Sequence, residues 1–174
     1  MVKQFAEWLS TTSPSLFLQN HNAWAIPTIQ SVHIIGIAVV LGSAFMIYLR
    51  ILGWAGMDQT LRQTTSRFAP WVTNGLYLML VTGVLMVIGE PVRELVTFSF
   101  WLKMFLVAVV TIFAVAFRRS LRKNERRWEE TLVKRRSIQG LAILTFLIWV
   151  GIIILGRLIA YDHIWGPWSP ATKA

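Results

Sequence analysis

Cysteine is absent from the 174 residues, and acidic residues are scarce, with eight Asp and Glu against 17 Lys and Arg. Without cysteine, the chain can form no disulfide, no thiolate metal site and no cysteine-bound iron–sulfur cluster. The net charge of +9 would favour nucleic-acid binding in a soluble protein. Here nine basic residues fall within 118–137 alone, so membrane topology explains the charge better and we predict no nucleic-acid partner. Hydrolase triads, phosphate loops and metalloprotease motifs are also missing, so the sequence leaves open whether the chain is an enzyme.

Apolar residues make up 55% of the chain, and its mean hydropathy is +0.57. Four long apolar runs account for this, at 26–49, 70–89, 98–117 and 138–161. A helix needs about 20 residues to cross a hydrocarbon core. The runs are continuous rather than alternating, which excludes a closed barrel. We therefore predict an all-α, integral membrane four-helix bundle, with 1–174 as a single membrane domain and with Pro27 and Pro70 in the first turns of their helices.

The first 24 residues have no continuous apolar core and no small-residue cleavage site, so we expect no signal peptide. Within them, the spacing of the apolar residues in 2–9 predicts a short N-terminal helix. Phe5, Trp8 and Leu9 would lie on one side of it, which suits an interfacial position.

Charge in the connecting segments predicts the orientation. The segment 118–137 has a net charge of +6, and the segment 50–69 has a net charge of +2. The turn 90–97 has a net charge of −1. The positive-inside rule therefore predicts that both basic segments are cytoplasmic and that both termini lie on the outer side. As a topology determinant, 118–137 would also contact anionic lipids, and the alternative is a docking site for a cytoplasmic partner.

Four polar side chains are predicted at similar depths in the outer leaflet. By helical rise, His33 lies about 10 Å, Lys103 about 8 Å and Arg157 about 6 Å below the outer boundary, and Glu90 is at the outer end of its span. Ionisable residues inside spans are costly and mark functional sites. This polar layer is the main functional signal in the sequence.

Small and polar residues also recur along one face of two spans. On the first span these are Gln30, His33, Gly36, Ser43 and Arg50. On the second they are Gly75, Met79, Thr82, Met86 and Glu90. Such stripes are typical of helix–helix contacts in membranes.

Each residue of the layer also has a structural interpretation. His33 can hydrogen-bond a neighbouring helix. Lys103 and Arg157 can extend toward headgroups. Glu90 can cap its own turn or pair with Arg93.

Three kinds of ligand suit the layer. His33 can ligate a haem iron, with Lys103 and Arg157 at the propionates; a second axial ligand, such as His163, would reach only if its helix end folds inward. His33 with Met86 and Met104 offers soft ligands for Cu(I). Arg157, Lys103 and Tyr161 could instead hold an anion or a quinone headgroup.

The motifs VHIIGIAVVLGSAFMIYLRILG, GEPVREL, FWLKM and GRLIAY resemble a family of small four-span bacterial inner-membrane proteins of unknown function. The resemblance implies a multi-pass protein of the bacterial inner (plasma) membrane, and with the orientation predicted from charge both termini are then periplasmic. It singles out the residues His33, Arg50, Glu90, Lys103, Arg157 and Tyr161. A histidine early in one span and a lysine near the start of another are loosely similar to the copper-resistance protein D membrane domain, which puts copper forward as a candidate.

The leading expectation is therefore haem b or copper binding at the outer-leaflet layer, for redox chemistry or metal handling. The alternatives are a non-catalytic accessory subunit of a membrane complex and a protein for the passage of a small solute or ion. Expected partners are the lipid bilayer and a second copy or a larger membrane complex.

Overall fold

The computed structural model describes residues 1–124, 126–128 and 136–159, and within these ranges the regular secondary structure is entirely helical. In chain order the helices are α1 (Val2–Ser10), α2 (Ser13–Asn20), α3 (Ala25–Leu52), α4 (Leu61–Gly89), α5 (Pro91–Leu95), α6 (Phe98–Lys123) and α7 (Arg136–Leu158). The predicted all-α class is confirmed.

Four helices are long and apolar enough to cross a membrane, namely α3, α4, α6 and the part of α7 from Ile138. The 28 residues of α3 rise by about 42 Å, which exceeds the roughly 30 Å of hydrocarbon. Large apolar side chains such as Ile34, Leu80 and Ile112 are more than 60% exposed on the bundle surface. A surface of this kind suits lipid, so the protein is a multi-pass membrane protein, as predicted.

Local signals set the ends of α3 and α4. α3 ends at Gly53, whose φ of 75° lies in the left-handed region that a glycine adopts without strain. α4 begins with a capping box, in which the Thr60 hydroxyl accepts from the Gln63 backbone N–H and the Gln63 side chain accepts from the Thr60 N–H. This cap starts the helix nine residues before Pro70, so the prediction of Pro70 in a first turn is wrong. Pro27, the third residue of α3, does lie in one.

The two ends of the bundle differ. At one end of the bundle, α3 and α6 end and α4 and α7 begin. The basic segments 50–69 and 118–137 join these helices, so we call this end the basic end. The opposite end, the α1 end, holds α1, α2 and α5. α1 forms as predicted, with Ala6 fully buried and Phe5 and Trp8 exposed, whereas the sequence did not predict α2 or α5.

Buried apolar residues form three clusters at three levels of the bundle. The basic-end cluster is Ile51, Leu61, Leu121 and Ala142. The central cluster is Val40, Val110, Trp149 and Ile152. The α1-end cluster is Ala6, Leu95, Phe100 and Ile159. These clusters hold the long helices in register, and α1 and α5 close the bundle at one end.

α3 and α4 form the most extensive helix pair, and glycines allow their backbones to approach closely. A Cβ added to Gly75 would lie 2.6 Å from Val40 Cγ2 and 3.5 Å from the Gly36 carbonyl oxygen. A Cβ added to Gly36 would lie 3.0 Å from Met79 Cγ. The predicted stripes on the first two spans therefore do face each other, and the same faces carry His33 and Thr82.

Candidate functional site

The polar side chains of the site lie between the central cluster and the α1-end cluster. On α4, Thr82 falls between Met79, which packs on the central cluster, and Val87, which packs on the α1-end cluster. On α6, Lys103 falls between Phe100 and Leu106, which belong to the same two levels. In the structure the polar layer consists of His33, Thr82, Glu94 and Lys103, so Thr82 and Glu94 take the places that the sequence gave to Arg157 and Glu90. His33 shares the level of Thr82 through their hydrogen bond, and Glu94, next to Leu95 of the α1-end cluster, borders it.

His33 on α3 contacts α4 through a hydrogen bond. Its Nδ1 atom lies 2.7 Å from Oγ1 of Thr82. The Thr82 hydroxyl lies 2.8 Å from the Leu78 carbonyl oxygen, to which it donates. A hydroxyl has only one proton, so Thr82 accepts from Nδ1–H and the His33 lone pair is on Nε2. The chain of two hydrogen bonds thus orients the ring and leaves the lone pair of His33 on Nε2.

The space beside the His33 ring is bordered by a glycine. A Cβ added to Gly83 would lie 3.8 Å from Cε1 of His33, which is an ordinary van der Waals distance. At this position the backbone of α4 comes close to the imidazole edge.

Lys103 on α6 lies against α7 at Gly156. A Cβ added to Gly156 would lie 3.7 Å from Cδ and 3.9 Å from Nζ of Lys103. The ammonium also lies 5.7 Å from the centroid of the Phe100 ring, within cation–π range. The Lys103 charge also lowers the pKa of the Glu94 carboxyl, so the two groups lie within electrostatic reach of each other.

Glu94 in α5 is the buried acid of the layer, with 7% of its surface exposed. Burial raises the pKa of its carboxyl above the ordinary value, and the charge of Glu90 adds to this; Lys103 and Arg93 act in the opposite direction. Desolvation is the largest of these effects, so the layer contains a carboxyl group that holds its proton unusually well.

Glu90, which the sequence placed in the layer, is positioned differently. Its carboxylate pairs with Arg93 one turn along α5, and both side chains are more than a third exposed. The sequence analysis missed Glu94, which is four residues further on and therefore on the same face of a helix that had not been predicted. A helix begun by Pro91 was the signal that could have found it.

The remaining predicted residues are spread around the layer. Arg157 is exposed on α7, next to Gly156. Met86 is half-buried and Met104 is 38% exposed. Tyr161 and His163 lie outside the described residues. Among the residues that the structure describes, no group of three or more His, Asp or Glu side chains is placed to hold a metal ion.

Arg50 lies far from the layer, at the basic end. It is 8% exposed, and its Nε donates to the Gln59 carbonyl oxygen at 2.8 Å. Since Gln59 directly precedes the capping box of α4, this bond holds the connection between α3 and α4 against the bundle.

A comparison with protein-family models matches residues 5–162 to DUF6644, a family of unknown function, and the chain belongs to that family. The predicted resemblance to a family of unknown function is thereby confirmed over most of the chain. Comparisons with curated proteins and with solved structures give no significant match.

Proposed function

We propose that this membrane protein binds haem b in the polar layer, with His33 Nε2 as an iron ligand. The observation that carries the proposal is the hydrogen bond between His33 Nδ1–H and Thr82. Metal-ligating histidines generally donate their other ring N–H to a protein acceptor, which fixes the tautomer and the orientation of the ring. His33 has this arrangement inside a helix bundle, where cofactor sites of four-helix proteins are built.

The surrounding residues fit a haem better than a bare metal ion. A porphyrin would bring four nitrogen ligands of its own, so the protein would have to provide only one or two further ligands, and the described layer contains one histidine. The cations Lys103 and Arg157 stand toward the α1 end of the bundle, where they would bind the two propionates. Glycine at 83 keeps the adjoining face of α4 free of a side chain.

When bound, a haem would supply one-electron redox chemistry. The chain itself would orient the ligating imidazole through Thr82, exclude water through the apolar clusters on both sides, and offer the Lys103 cation to the propionates. Copper held by His33, Met86 and Met104 is the alternative. It is supported less well because Met104 is 38% exposed.

The test is an absorption spectrum of the chain, expressed with added haem precursor and purified in detergent. We expect a Soret band that shifts on reduction and is lost in His33→Ala. His21→Ala is the matched control, because His21 is the C-cap residue of α2, outside the polar layer, and its Nδ1 contacts the Phe17 carbonyl oxygen. If the wild-type protein, reconstituted with haem, has no Soret band, the haem proposal fails; stoichiometric copper that depends on His33 and Met86 would then support the alternative.

A further inference from the structure

A cleft of about 440 Å³ opens between α4 and α6 at the basic end of the bundle. Its lining is shared by the first turns of α4 and the last turns of α6, and consists of Arg62, Thr65, Ser66, Arg118, Leu121 and Arg122. Arg118 and Arg122 are four residues apart, and so are Arg62 and Ser66, so each helix presents one polar face. The cleft therefore combines three guanidinium groups with two hydroxyls over one leucine.

Thr65 is the unusual member of this lining. It is 5% exposed, and its Oγ1 has no hydrogen-bond partner among the described residues. The neighbouring Thr64, also buried, donates to the Thr60 carbonyl oxygen one turn back. A buried hydroxyl without a partner is costly, and such groups are rare in folded proteins. A ligand oxygen in the cleft would provide the missing partner.

We propose that this cleft binds a phosphate group. Guanidinium groups recognise phosphate oxygens through paired, charge-assisted hydrogen bonds, and a threonine hydroxyl complements them as a further donor. The floor of the cleft is rigid because Leu121 is 2% exposed and packs in the basic-end cluster with Ile51, Leu61 and Ala142. The arginines on its walls are therefore presented by a fixed surface rather than by a loop.

The cleft also lies at the level expected for lipid headgroups. Thr65 precedes the exposed Trp71 by six residues, which is about 9 Å of helical rise. Tryptophans of this kind mark the membrane interface, so Thr65 stands beyond it on the aqueous side. On α6, Arg118 follows the first residue, Phe98, by about 30 Å, the thickness of the hydrocarbon. A phosphate group at this level can come from a lipid headgroup or from a soluble phosphate compound.

Calorimetric titration of the detergent-solubilised chain, in a phosphate-free buffer, separates these two sources. The probes are inorganic phosphate, short-chain phosphatidic acid and short-chain diacylglycerol, which lacks the phosphate. Binding of phosphatidic acid alone identifies a lipid headgroup site, and binding of inorganic phosphate identifies a site for soluble phosphate. Either result supports the proposal. Binding of neither, or equal binding of diacylglycerol, overturns it.

Two arginine variants test the lining, and a third serves as their control. Arg118→Gln and Arg122→Gln should each weaken binding about tenfold, the usual effect of one charged hydrogen bond. Arg119→Gln removes the same charge from an exposed position of α6 outside the cleft and should leave the affinity unchanged. If Arg119→Gln weakens phosphate binding as much as Arg118→Gln does, the phosphate responds only to the overall positive charge of the basic end, and the proposed site is wrong.

Thr65→Val supplies an independent readout. Because the hydroxyl has no partner among the described residues, the variant should match or exceed the wild type in melting temperature without ligand while binding phosphate more weakly. A lower melting temperature, or unchanged binding, would overturn the role of Thr65 as a ligand donor.

Discussion

The Nδ1 atom of His33 lies 2.7 Å from Oγ1 of Thr82 and joins α3 to α4 across 49 positions of the chain. The contact lies in the most tightly packed pair of helices, where Gly36 and Gly75 bring the two backbones together. Thr82 is 5% exposed, so the bond is shielded from water. The orientation of the imidazole therefore depends on the packing of α3 against α4.

Thr82→Val should leave the His33 Nδ1–H without its acceptor. A buried donor without a partner costs about 1–3 kcal/mol, so the melting temperature in detergent should fall. The affinity for the proposed haem should also fall, by about 10- to 100-fold, as is typical when the hydrogen-bond partner of a ligating histidine is removed. Haem titration followed at the Soret band measures the second effect.

Thr82→Ser is the matched control, because it keeps a hydroxyl at the same place. It should retain most of the haem affinity. Equal haem affinity in Thr82→Val and the wild type would contradict the orienting role of Thr82.

A second prediction concerns Glu94, whose pKa is raised chiefly by burial. Above the ordinary carboxyl pKa, the unfolded chain loses the Glu94 proton while the folded protein still holds it. In this range the folded state binds more protons, so the free energy of unfolding decreases as the pH rises through the folded pKa. Glu94→Gln removes this titration and should flatten the pH dependence of the melting temperature between weakly acidic and neutral pH.

The comparison variant is Glu90→Gln, which removes a carboxylate that is more than a third exposed and pairs with Arg93. It should keep most of the decrease in stability with pH, since burial, the largest cause of the raised Glu94 pKa, is unchanged and only the contribution of Glu90 is lost. If Glu94→Gln and the wild type have parallel pH profiles, Glu94 does not titrate in this range.

The sequence predicted the long elements of the fold well and the short ones poorly. Continuous apolar runs identify spans because the preference of a segment for lipid depends on its own residues alone. The stripe that includes His33 and Gly36 was predicted to face other helices, and the structure packs it against α4. The position of Glu94 depends on α5, a five-residue helix whose formation requires contacts with α1 and the α1-end cluster. Periodicity cannot detect a helix of this length, and for this reason the sequence assigned the acid of the layer to Glu90.

The start of α4 illustrates the same limit. The apolar run begins at Pro70, but the helix begins at Leu61, where the capping box of Thr60 and Gln63 satisfies the first backbone donors. Apolar runs indicate which residues prefer lipid, whereas caps determine where helices end. The cleft between α4 and α6 consists of residues beyond the apolar runs, so the sequence could not place Thr65 opposite Arg118.

A third prediction concerns the close contact of α3 and α4. Gly75→Ala places a methyl group 2.6 Å from Val40 Cγ2, and Val40 is 1% exposed and packs in the central cluster. Overpacking of this kind costs about 1–3 kcal/mol, so the melting temperature should drop. Gly151→Ala is the control: a Cβ at Gly151 has no neighbour within 4 Å, and alanine favours the helix. Equal melting temperatures for the two variants would contradict the observed packing.

The last prediction concerns the orientation of the protein, which follows from charge alone. The positive-inside rule predicts that the basic end is cytoplasmic and that the α1 end is outside. The absence of cysteine makes a direct test available, because a single introduced thiol is the sole target of a maleimide. Asp58→Cys lies between α3 and α4 at the basic end, and Ser13→Cys begins α2 at the α1 end; both positions are exposed. With a membrane-impermeant maleimide, intact cells should label Ser13→Cys, whereas Asp58→Cys should react only after permeabilisation.

The reverse pattern would place the polar layer near the cytoplasm and the arginine cleft on the outer side. The cleft would then face the outer leaflet, and its phosphate would have to come from that side of the membrane.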